Sequence, residues 1–314
     1  MGPSGGIGPS LLGVAPEILL ASSGVVLLLL DAFFRRTLGF CLHWGIVSAI
    51  GSLAVLAFAP PEAGGPVFSG QIALDGVTLA ARVLIPCVLV LTLLVSRPCL
   101  DVRSSHPAEH AALLMLASSG LMGMAASRHW IVLFIFLEIA AISFAALIGL
   151  RRDPAAREAA LKYFILSAFA SAFLVYGIAL LFFEMGAFAV GLRQSFGSAE
   201  RAALFFIIAG LAFKCALVPF HMWAPDVYEG SPTPVAAYLA SASKAAGFFV
   251  LVRVLLEGGA SGAMLVKQAL WAVAALSMAA GTLLALTQTN VKRMLAYSGV
   301  AHAGYILTAF VAGG

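Results

Sequence analysis

The segment from Phe205 to Phe249 reads FFIIAGLAFKCALVPFHMWAPDVYEGSPTPVAAYLASASKAAGFF, and it decides the fold. It is apolar enough to cross a bilayer, but it contains two lysines and four prolines. Pro219 lacks the N–H that would bond to the carbonyl of Cys215, so a helix must kink or break there. Non-helical backbone is tolerated at membrane depth only where it is buried in protein or lines a water-filled cavity, and in transporters it marks ion sites. The segment therefore predicts a discontinuous helix at residues 214–219, with Lys214 at its broken end.

The composition is that of an integral membrane protein. The chain of 314 residues is 62% hydrophobic and only 10% charged, with a mean hydropathy of +1.04, whereas soluble domains carry about 25% charged residues. Apolar runs of roughly 20 residues recur, which predicts an all-α polytopic helix bundle and not a β-barrel. We predict about ten transmembrane helices, at residues 14–34, 37–58, 77–96, 108–126, 129–149, 156–183, 200–229 (broken), 233–256, 265–287 and 292–312.

The basic residues predict an orientation for the bundle. Nine of the 18 lysines and arginines lie in loops after odd-numbered spans, four lie on the opposite side, and five lie within spans. By the positive-inside rule the odd-loop side is cytoplasmic and the N-terminus faces outward. The net charge of +4 is explained by this topology, so we expect no nucleic-acid partner. The four cysteines lack the spacing of a metal or iron–sulfur site.

Charged residues deep within the spans are the first candidates for function. Glu138 lies near the centre of the fifth span, where a charge costs about 2.5–3.5 kcal/mol. It is either a protonated carboxyl that hydrogen-bonds to a neighbouring helix, or a proton-relay carboxylate paired with a lysine. Lys214 and Lys244 lie on later spans without a carboxylate one turn away on their own helices. Their presence favours the relay, because intramembrane ionisable groups are usually functional.

Lys162 and His221 are further candidates, each with two interpretations. Lys162 lies about 9 Å inside the sixth span and follows Glu158 by four residues. It is either half of an ion pair that reaches the membrane surface, or a fourth relay lysine. His221 follows Lys214 by seven residues and is either an ordinary interior histidine or a proton-exchange group, since histidine titrates near physiological pH. The helix break beside it favours proton exchange.

The remaining charged residues within spans are interpreted as structural. Asp226 and Glu229 lie in a proline-rich stretch, where capping or solvation is the expected role. Arg253 and Glu257 have the spacing of an i,i+4 pair at the interface. The residues that we expect to act as interface anchors, because each lies near the end of its span, are Glu17, Asp31 and Arg82.

A series of buried charges on successive helices could store and release protons. Burial favours the neutral form of a lysine, and a nearby carboxylate favours the ammonium form. Moving the carboxylate, or adding a charge beside it, would therefore load or unload the lysine. One proton moved against 100 mV costs about 2.3 kcal/mol, and each tenfold change in proton affinity supplies about 1.4 kcal/mol. Two such changes suffice, but nothing in this chain supplies the energy.

Three runs carry a family resemblance: PFHMWAPDVYEGSPTPVAAYLASASKAAGF, EAALKYFILSAFASAFLVYGIALL and NVKRMLAYSGVAHAGYIL. From about residue 108 onward the chain resembles the N-type antiporter-like subunits of bacterial proton-pumping NADH:quinone oxidoreductase, respiratory complex I. These subunits are related to the Mrp-type cation/proton antiporters. The resemblance implies that Glu138 and Lys214 are the family's glutamate–lysine pair, and that Lys244, Lys162 and His221 match its other ionisable positions.

The resemblance also implies partners and a domain plan. NADH, FMN, iron–sulfur clusters and quinone are expected in partner subunits, with no cofactor or metal in this chain. The expected neighbours, in a bacterial inner (cytoplasmic) membrane, are the antiporter-like M subunit and small subunits of the A, J and K types. The family fold has two inverted five-helix repeats. We therefore expect a three-helix segment at 1–107, the first repeat at 108–258, and an incomplete, truncated second repeat at 259–314.

Two other functions stay open at this point. The chain could be a component of an Mrp-like sodium/proton antiporter, although the Y-E-G-S-P-T-P run followed ten residues later by Lys244 resembles the N type. It could also be a structural membrane subunit that does not pump, because a second broken helix with its own lysine is missing from the incomplete repeat.

Overall fold

The computed structural model describes residues 11–34, 37–58, 67–100, 106–190, 197–257 and 264–312. Within these ranges extended backbone forms only isolated bridges between loops. Eight of the described helices are long and apolar enough to cross a membrane, so the prediction of an all-α, polytopic membrane protein is confirmed. The helices are α1 (Ala15–Phe34), α2 (Leu38–Phe58), α3 (Gly76–Cys99), α4 (Pro107–Ala126), α5 (Trp130–Gly149), α6 (Pro154–Met185), α7 (Ser198–Cys215), α8 (Trp223–Gly230), α9 (Thr233–Tyr238), α10 (Lys244–Leu251), α11 (Met264–Leu286) and α12 (Val291–Ala312).

The span after the break is a continuous helix with two π-helical segments. Residues Leu239–Ser243 join α9 to α10, and Val252–Glu257 continue from α10 to the end of the span. The first π segment directly precedes Lys244 and the second contains Arg253. Because π segments occur frequently at functional sites, both positions are of interest.

Helix α4 lies at the centre of the bundle, and most of its residues are buried. Its second half, residues 117–126, reads ASSGLMGMAA, and such small side chains let helices approach closely. A Cβ on Gly120 would lie 2.7 Å from the carbonyl oxygen of Phe136 in α5. A helix enclosed by protein needs no apolar lipid-facing surface, which explains why α4 is not among the eight apolar spans. Helix α7 is not among them either, so the count of ten spans stays a prediction.

Helix α7, which ends in Lys214, is held tightly against α6. A Cβ on Gly177 of α6 would lie 2.8 Å from the carbonyl oxygen of Ala203, and one on Gly210 of α7 would lie 2.9 Å from that of Ala170. The two backbones are therefore in direct contact above and below the middle of α7. This packing fixes the position of α7, and therefore of the helix break at its end, relative to α6.

A cluster of charges ties the end of the π-helical span to the start of α3. Asp75 caps α3 by accepting a hydrogen bond from the backbone N–H of Thr78. The buried guanidinium of Arg253 donates to both carboxylate oxygens of Asp75 at 2.8 Å, and also to the carbonyl of Ala125. The interpretation of Arg253 as half of an interface pair missed this partner, 178 residues away. The side chain of Glu257 lies outside the described part of the chain.

A second buried ion pair joins α1 to α3. Arg82 donates from Nε to Glu17 at 2.7 Å, and both side chains are almost fully buried. Arg82 also donates to the carbonyl of Gly13, while the hydroxyl of Ser119 donates to the carbonyl of Glu17. The interpretation of Glu17 and Arg82 as interface anchors is therefore wrong: the two charges satisfy each other inside the bundle.

We expect Asp75→Asn to lower the free energy of unfolding by about 3 kcal/mol, because it leaves the buried charge of Arg253 without a counter-ion. Thermal unfolding of the full chain in detergent micelles measures the effect. The control is Glu184→Gln, which removes an exposed carboxylate on α6 and should leave the unfolding midpoint unchanged. Equal midpoints for the two variants would contradict a stabilising role for the cluster.

The same pair predicts a pH dependence. Burial alone would raise the pKa of Asp75, but the hydrogen bonds and charge of Arg253 and the N–H of Thr78 outweigh burial and hold that pKa well below its usual range. A carboxyl whose pKa is depressed by folding stabilises the protein fully above its unfolded pKa of about 4, and loses that contribution as the pH falls. The difference in unfolding midpoint between wild type and Asp75→Asn should therefore be constant above pH about 5 and shrink below pH about 4.

Candidate functional site

The predicted break is present and begins upstream of Pro219. Helix α7 ends at Cys215, and Ala216 adopts the left-handed conformation with φ 54° and ψ 43°. The chain then runs without regular helix until α8 begins at Trp223. The interruption was predicted from Pro219, whereas the structure ends the helix three residues earlier, at the left-handed Ala216.

Neighbouring elements satisfy the backbone groups that the break exposes. The N–H of Val218 donates to the hydroxyl of Ser277 in α11 at 3.0 Å, and Ser277 is fully buried. The indole N–H of Trp223 donates to the carbonyl of Phe213 at 3.0 Å. Protein groups therefore satisfy part of the backbone at the break, as membrane depth requires, although Pro219 and Met222 of the same segment are exposed.

Lys214 lies in the last turn of α7 and is 2% exposed. Its ammonium donates to the hydroxyl of Tyr163 at 3.3 Å, and it lies 5.9 Å from the ring centroids of both Phe144 and Tyr163. Aromatic faces and the negative end of the helix dipole favour a cation here. No ion pair with a carboxylate is formed by Lys214 in the described chain, so its charge is only partly compensated.

Glu138 lies on α5 and accepts a hydrogen bond from the hydroxyl of Ser171 on α6. Among the described residues it forms no direct ion pair with Lys214, but its charge is close enough to act on that ammonium. A small cavity, with room for about one water molecule, is lined by Ser171, the partner of Glu138, and by Lys214. Ser167 and several apolar side chains complete its lining. Glu138 and Lys214 are therefore linked only indirectly, through Ser171 and this cavity.

Lys244 is 7% exposed, and its ammonium has no hydrogen-bond partner among the described residues. It lies 5.9 Å from the ring centroid of Tyr228, whose own hydroxyl is buried and unpartnered. A Cβ on Gly299 of α12 would lie 2.7 Å from Nζ of Lys244. The thiol of Cys215 is close enough to interact electrostatically with both Lys214 and Lys244.

His221 lies in the non-helical segment and is half-buried. Its ring centroid is 6.4 Å from that of Tyr297 in α12, and its Nδ1 has no hydrogen-bond partner in the described chain. No hydrogen bond joins it to Lys214 or Lys244 within the same residues. The structure therefore places His221 beside α12 and not in contact with either lysine.

Lys162 lies apart from the other candidates. Its side chain is 42% exposed and pairs with Glu158 at 2.7 Å and with Asp226 at 2.9 Å. Asp226 also accepts from Arg293 of α12 at 2.7 Å, and Glu229 accepts from the same arginine. The expectation that Asp226 and Glu229 serve only as caps or solvated loop residues is wrong, because they connect α8 to two other helices.

Comparisons with known proteins identify the family. The family model described as NADH:quinone oxidoreductase/Mrp antiporter, TM, matches residues 127–314. The chain belongs to this family. It is 39% identical to NADH-quinone oxidoreductase subunit N 2 of Koribacter versatilis (strain Ellin345), over 95% of this chain and 63% of that protein.

Two solved structures share the fold of this antiporter-family chain. A chain of respiratory complex I from Thermus thermophilus with bound aureothin has a TM-score of 0.81 and 35% identity, over 94% of this chain and 64% of that one. A chain of the archaeal membrane-bound sulfane sulfur reductase has a TM-score of 0.83 and 25% identity, over 98% and 65%. The chain thus spans less than two thirds of the length of these relatives.

Four site residues of this family member escaped the sequence reasoning, and all are uncharged. Ser171 bonds to Glu138, Tyr163 bonds to Lys214, Cys215 interacts electrostatically with both buried lysines, and Ser277 bonds to the backbone of the break. Tyr163 directly follows Lys162 on α6. Its contact with Lys214 could have been inferred only if the packing of α6 against α7 had been known. A serine or tyrosine in an apolar span has no energetic signature comparable to that of a charge.

We expect Gly247→Ala to destabilise the protein by about 1–3 kcal/mol, because the added methyl would overpack the break. Its Cβ would lie 2.8 Å from Sγ of Cys215 and 3.4 Å from Cβ of Lys214. Thermal unfolding in detergent micelles is the measurement. Gly39→Ala is the matched control, since a Cβ there meets nothing within 4 Å. An unchanged midpoint for Gly247→Ala would show that α10 is not packed tightly against the break.

Proposed function

We propose that this chain is a proton-translocating membrane subunit of an NADH:quinone oxidoreductase. The observation that carries the proposal is the pair of buried lysines near a helix break, where Lys214 and Ser171, the hydrogen-bond partner of Glu138, line one small cavity. Buried ionisable groups beside discontinuous helices are the hallmark of ion pathways in membranes. The family match and the 39% identity to a subunit N support the same assignment.

In the proposed mechanism Glu138 controls the protonation of Lys214. The hydroxyl of Ser171 orients the carboxylate, and the cavity beside Ser171 and Lys214 admits a water molecule that can bridge the remaining gap. A negative charge on Glu138 favours the ammonium form of Lys214, and neutralising or withdrawing that charge favours release of the proton. The proton then passes from Lys214 past Cys215 to Lys244. His221, in the non-helical segment beside α12, is proposed as a further site of proton exchange.

The energy for this transfer is proposed to come from partner subunits. We place NADH, FMN, the iron–sulfur clusters and quinone there, so that this chain contributes to the enzyme as a translocase subunit without a redox centre of its own. The proposed neighbours are the antiporter-like M subunit and small subunits of the A, J and K types. The proposed location is a bacterial inner membrane with the N-terminus outside, as the distribution of basic residues indicates.

The domain plan is part of the same proposal. Residues 1–107 form a three-helix segment, residues 108–258 form the first antiporter-like repeat, and residues 259–314 begin a second repeat. All of the proposed relay residues of this chain then lie within the first repeat. They are Glu138, Lys214, His221 and Lys244. Helices α11 and α12 close one side of it, through Ser277 at the break and Gly299 at Lys244.

We expect Lys214→Met to lower the number of protons translocated per electron pair while NADH-driven quinone reduction continues. Methionine has a similar volume but cannot carry a proton. Glu138→Gln should have the same effect, because an amide cannot change its charge. Proton uptake and NADH oxidation would be recorded together in inverted membrane vesicles that contain the assembled complex.

The control for this experiment is Glu184→Gln, which alters an exposed glutamate on α6 and should leave the ratio unchanged. A normal proton-to-electron ratio in Lys214→Met, with normal assembly, would favour a purely structural subunit. Sodium-dependent proton exchange in vesicles without NADH would instead favour the Mrp-like antiporter, a function that the description of the matched family also includes.

A further inference from the structure

The short helix α8, which follows the break, contacts two other helices through the side chain of Asp226. Asp226 accepts from Lys162 of α6 at 2.9 Å and from Arg293 of α12 at 2.7 Å. Arg293 also pairs with Glu229, and Lys292 donates to the carbonyl of Ser231 at 2.8 Å. An eight-residue helix has little stability of its own. These contacts, together with the burial of Trp223, Val227 and Tyr228, therefore hold α8 at the end of the bundle.

The turn of α6 that contacts α8 also reaches the buried site. Lys162 and Tyr163 are consecutive residues: the first contacts Asp226 and the second accepts from Lys214 at 3.3 Å. Tyr163 also packs edge-on against Trp223, with ring centroids 5.3 Å apart. Trp223 in turn donates to the carbonyl of Phe213, one residue before Lys214. Movement of α8 away from α6 would consequently disturb the surroundings of Lys214.

Lys162 differs in its environment from the two buried lysines. It is 42% exposed and is neutralised by two carboxylates, whereas Lys214 is 2% and Lys244 is 7% exposed. No hydrogen bond or ion pair joins Lys162 to Glu138, Lys214 or Lys244 in the described residues. A lysine that is solvated and doubly paired keeps its proton throughout, so it is poorly suited to relay one.

We propose that Lys162 is a positioning residue whose permanent charge holds Asp226, and through it α8, against α6, so that the break keeps Lys214 in register with Glu138. This role builds on the proposed function, in which Lys214 carries the proton. Of the two interpretations of Lys162, the proposal takes the ion pair and not the relay. Asp226 is then a more important partner than Glu158.

Replacement of Lys162 by arginine separates the two roles. Arginine can pair with Asp226 but cannot release its proton in a protein. If Lys162 positions α8, Lys162→Arg should keep the proton-to-electron ratio within about twofold of wild type with an unchanged pH profile, whereas Lys162→Gln should reduce it roughly fivefold. If Lys162 relays protons, Lys162→Arg should be as defective as Lys162→Gln, and that result would overturn the proposal.

Hydrogen exchange gives a second readout that does not depend on proton pumping. In the full chain within its membrane complex, backbone amides of α8 should exchange roughly fivefold faster in Lys162→Gln and Asp226→Asn, but at the wild-type rate in Lys162→Arg. The control is Glu158→Gln, whose side chain is 66% exposed and contacts Lys162 only from the same helix. Unchanged protection of α8 in Lys162→Gln would overturn the positioning role. If the wild-type complex does not pump protons but α8 still exchanges faster in Lys162→Gln, the proposed function is refuted and the positioning role is not.

Discussion

Every backbone group at the helix break must find a hydrogen-bond partner inside the protein, because the membrane interior supplies none. The N–H of Val218 donates to Ser277 of α11, and the carbonyl of Phe213 accepts from Trp223 of α8 as well as from the N–H of Ala216. The end of helix α7 at Cys215 is therefore supported by both α8 and α11. Pro219 predicts the interruption from the sequence, but the buried position of Lys214 beside it depends on tertiary packing.

The charged residues fall into two classes by the completeness of their pairing. Arg253 and Arg82 are buried but fully engaged, with Asp75 and Glu17 as counter-ions. Lys214 and Lys244 are equally buried, but neither forms an ion pair among the described residues; a tyrosine hydroxyl accepts from Lys214, and aromatic rings lie beside both. Burying a charge without a counter-ion costs free energy. The incomplete pairing of the two lysines is the feature on which their proposed functional role rests.

The helices and the break were predictable, because apolar length, proline and the lysines each leave a local signal in the sequence. The positions of Glu138, Lys214 and Lys244 within their spans followed from the same signals. The pairings did not. Arg82 and Glu17 are 65 residues apart, and rules for neighbours on one helix say nothing about contacts of that kind. Spacing along a helix likewise suggested only Glu158 for Lys162 and could not reveal Asp226.

The surroundings of Lys244 explain how it could serve as the second station of the proposed function. The thiol of Cys215 interacts electrostatically with both Lys214 and Lys244, so the two lysines share one buried neighbour. The ammonium of Lys244 has no hydrogen-bond partner among the described residues, and a Cβ on Gly299 would lie 2.7 Å from its Nζ, so glycine is needed at that point of α12. A buried amine without a counter-ion gives up its proton more easily than one held in an ion pair. In the proposed function, Glu138 therefore loads Lys214, and Lys244, which no carboxylate holds among the described residues, receives the proton and passes it on.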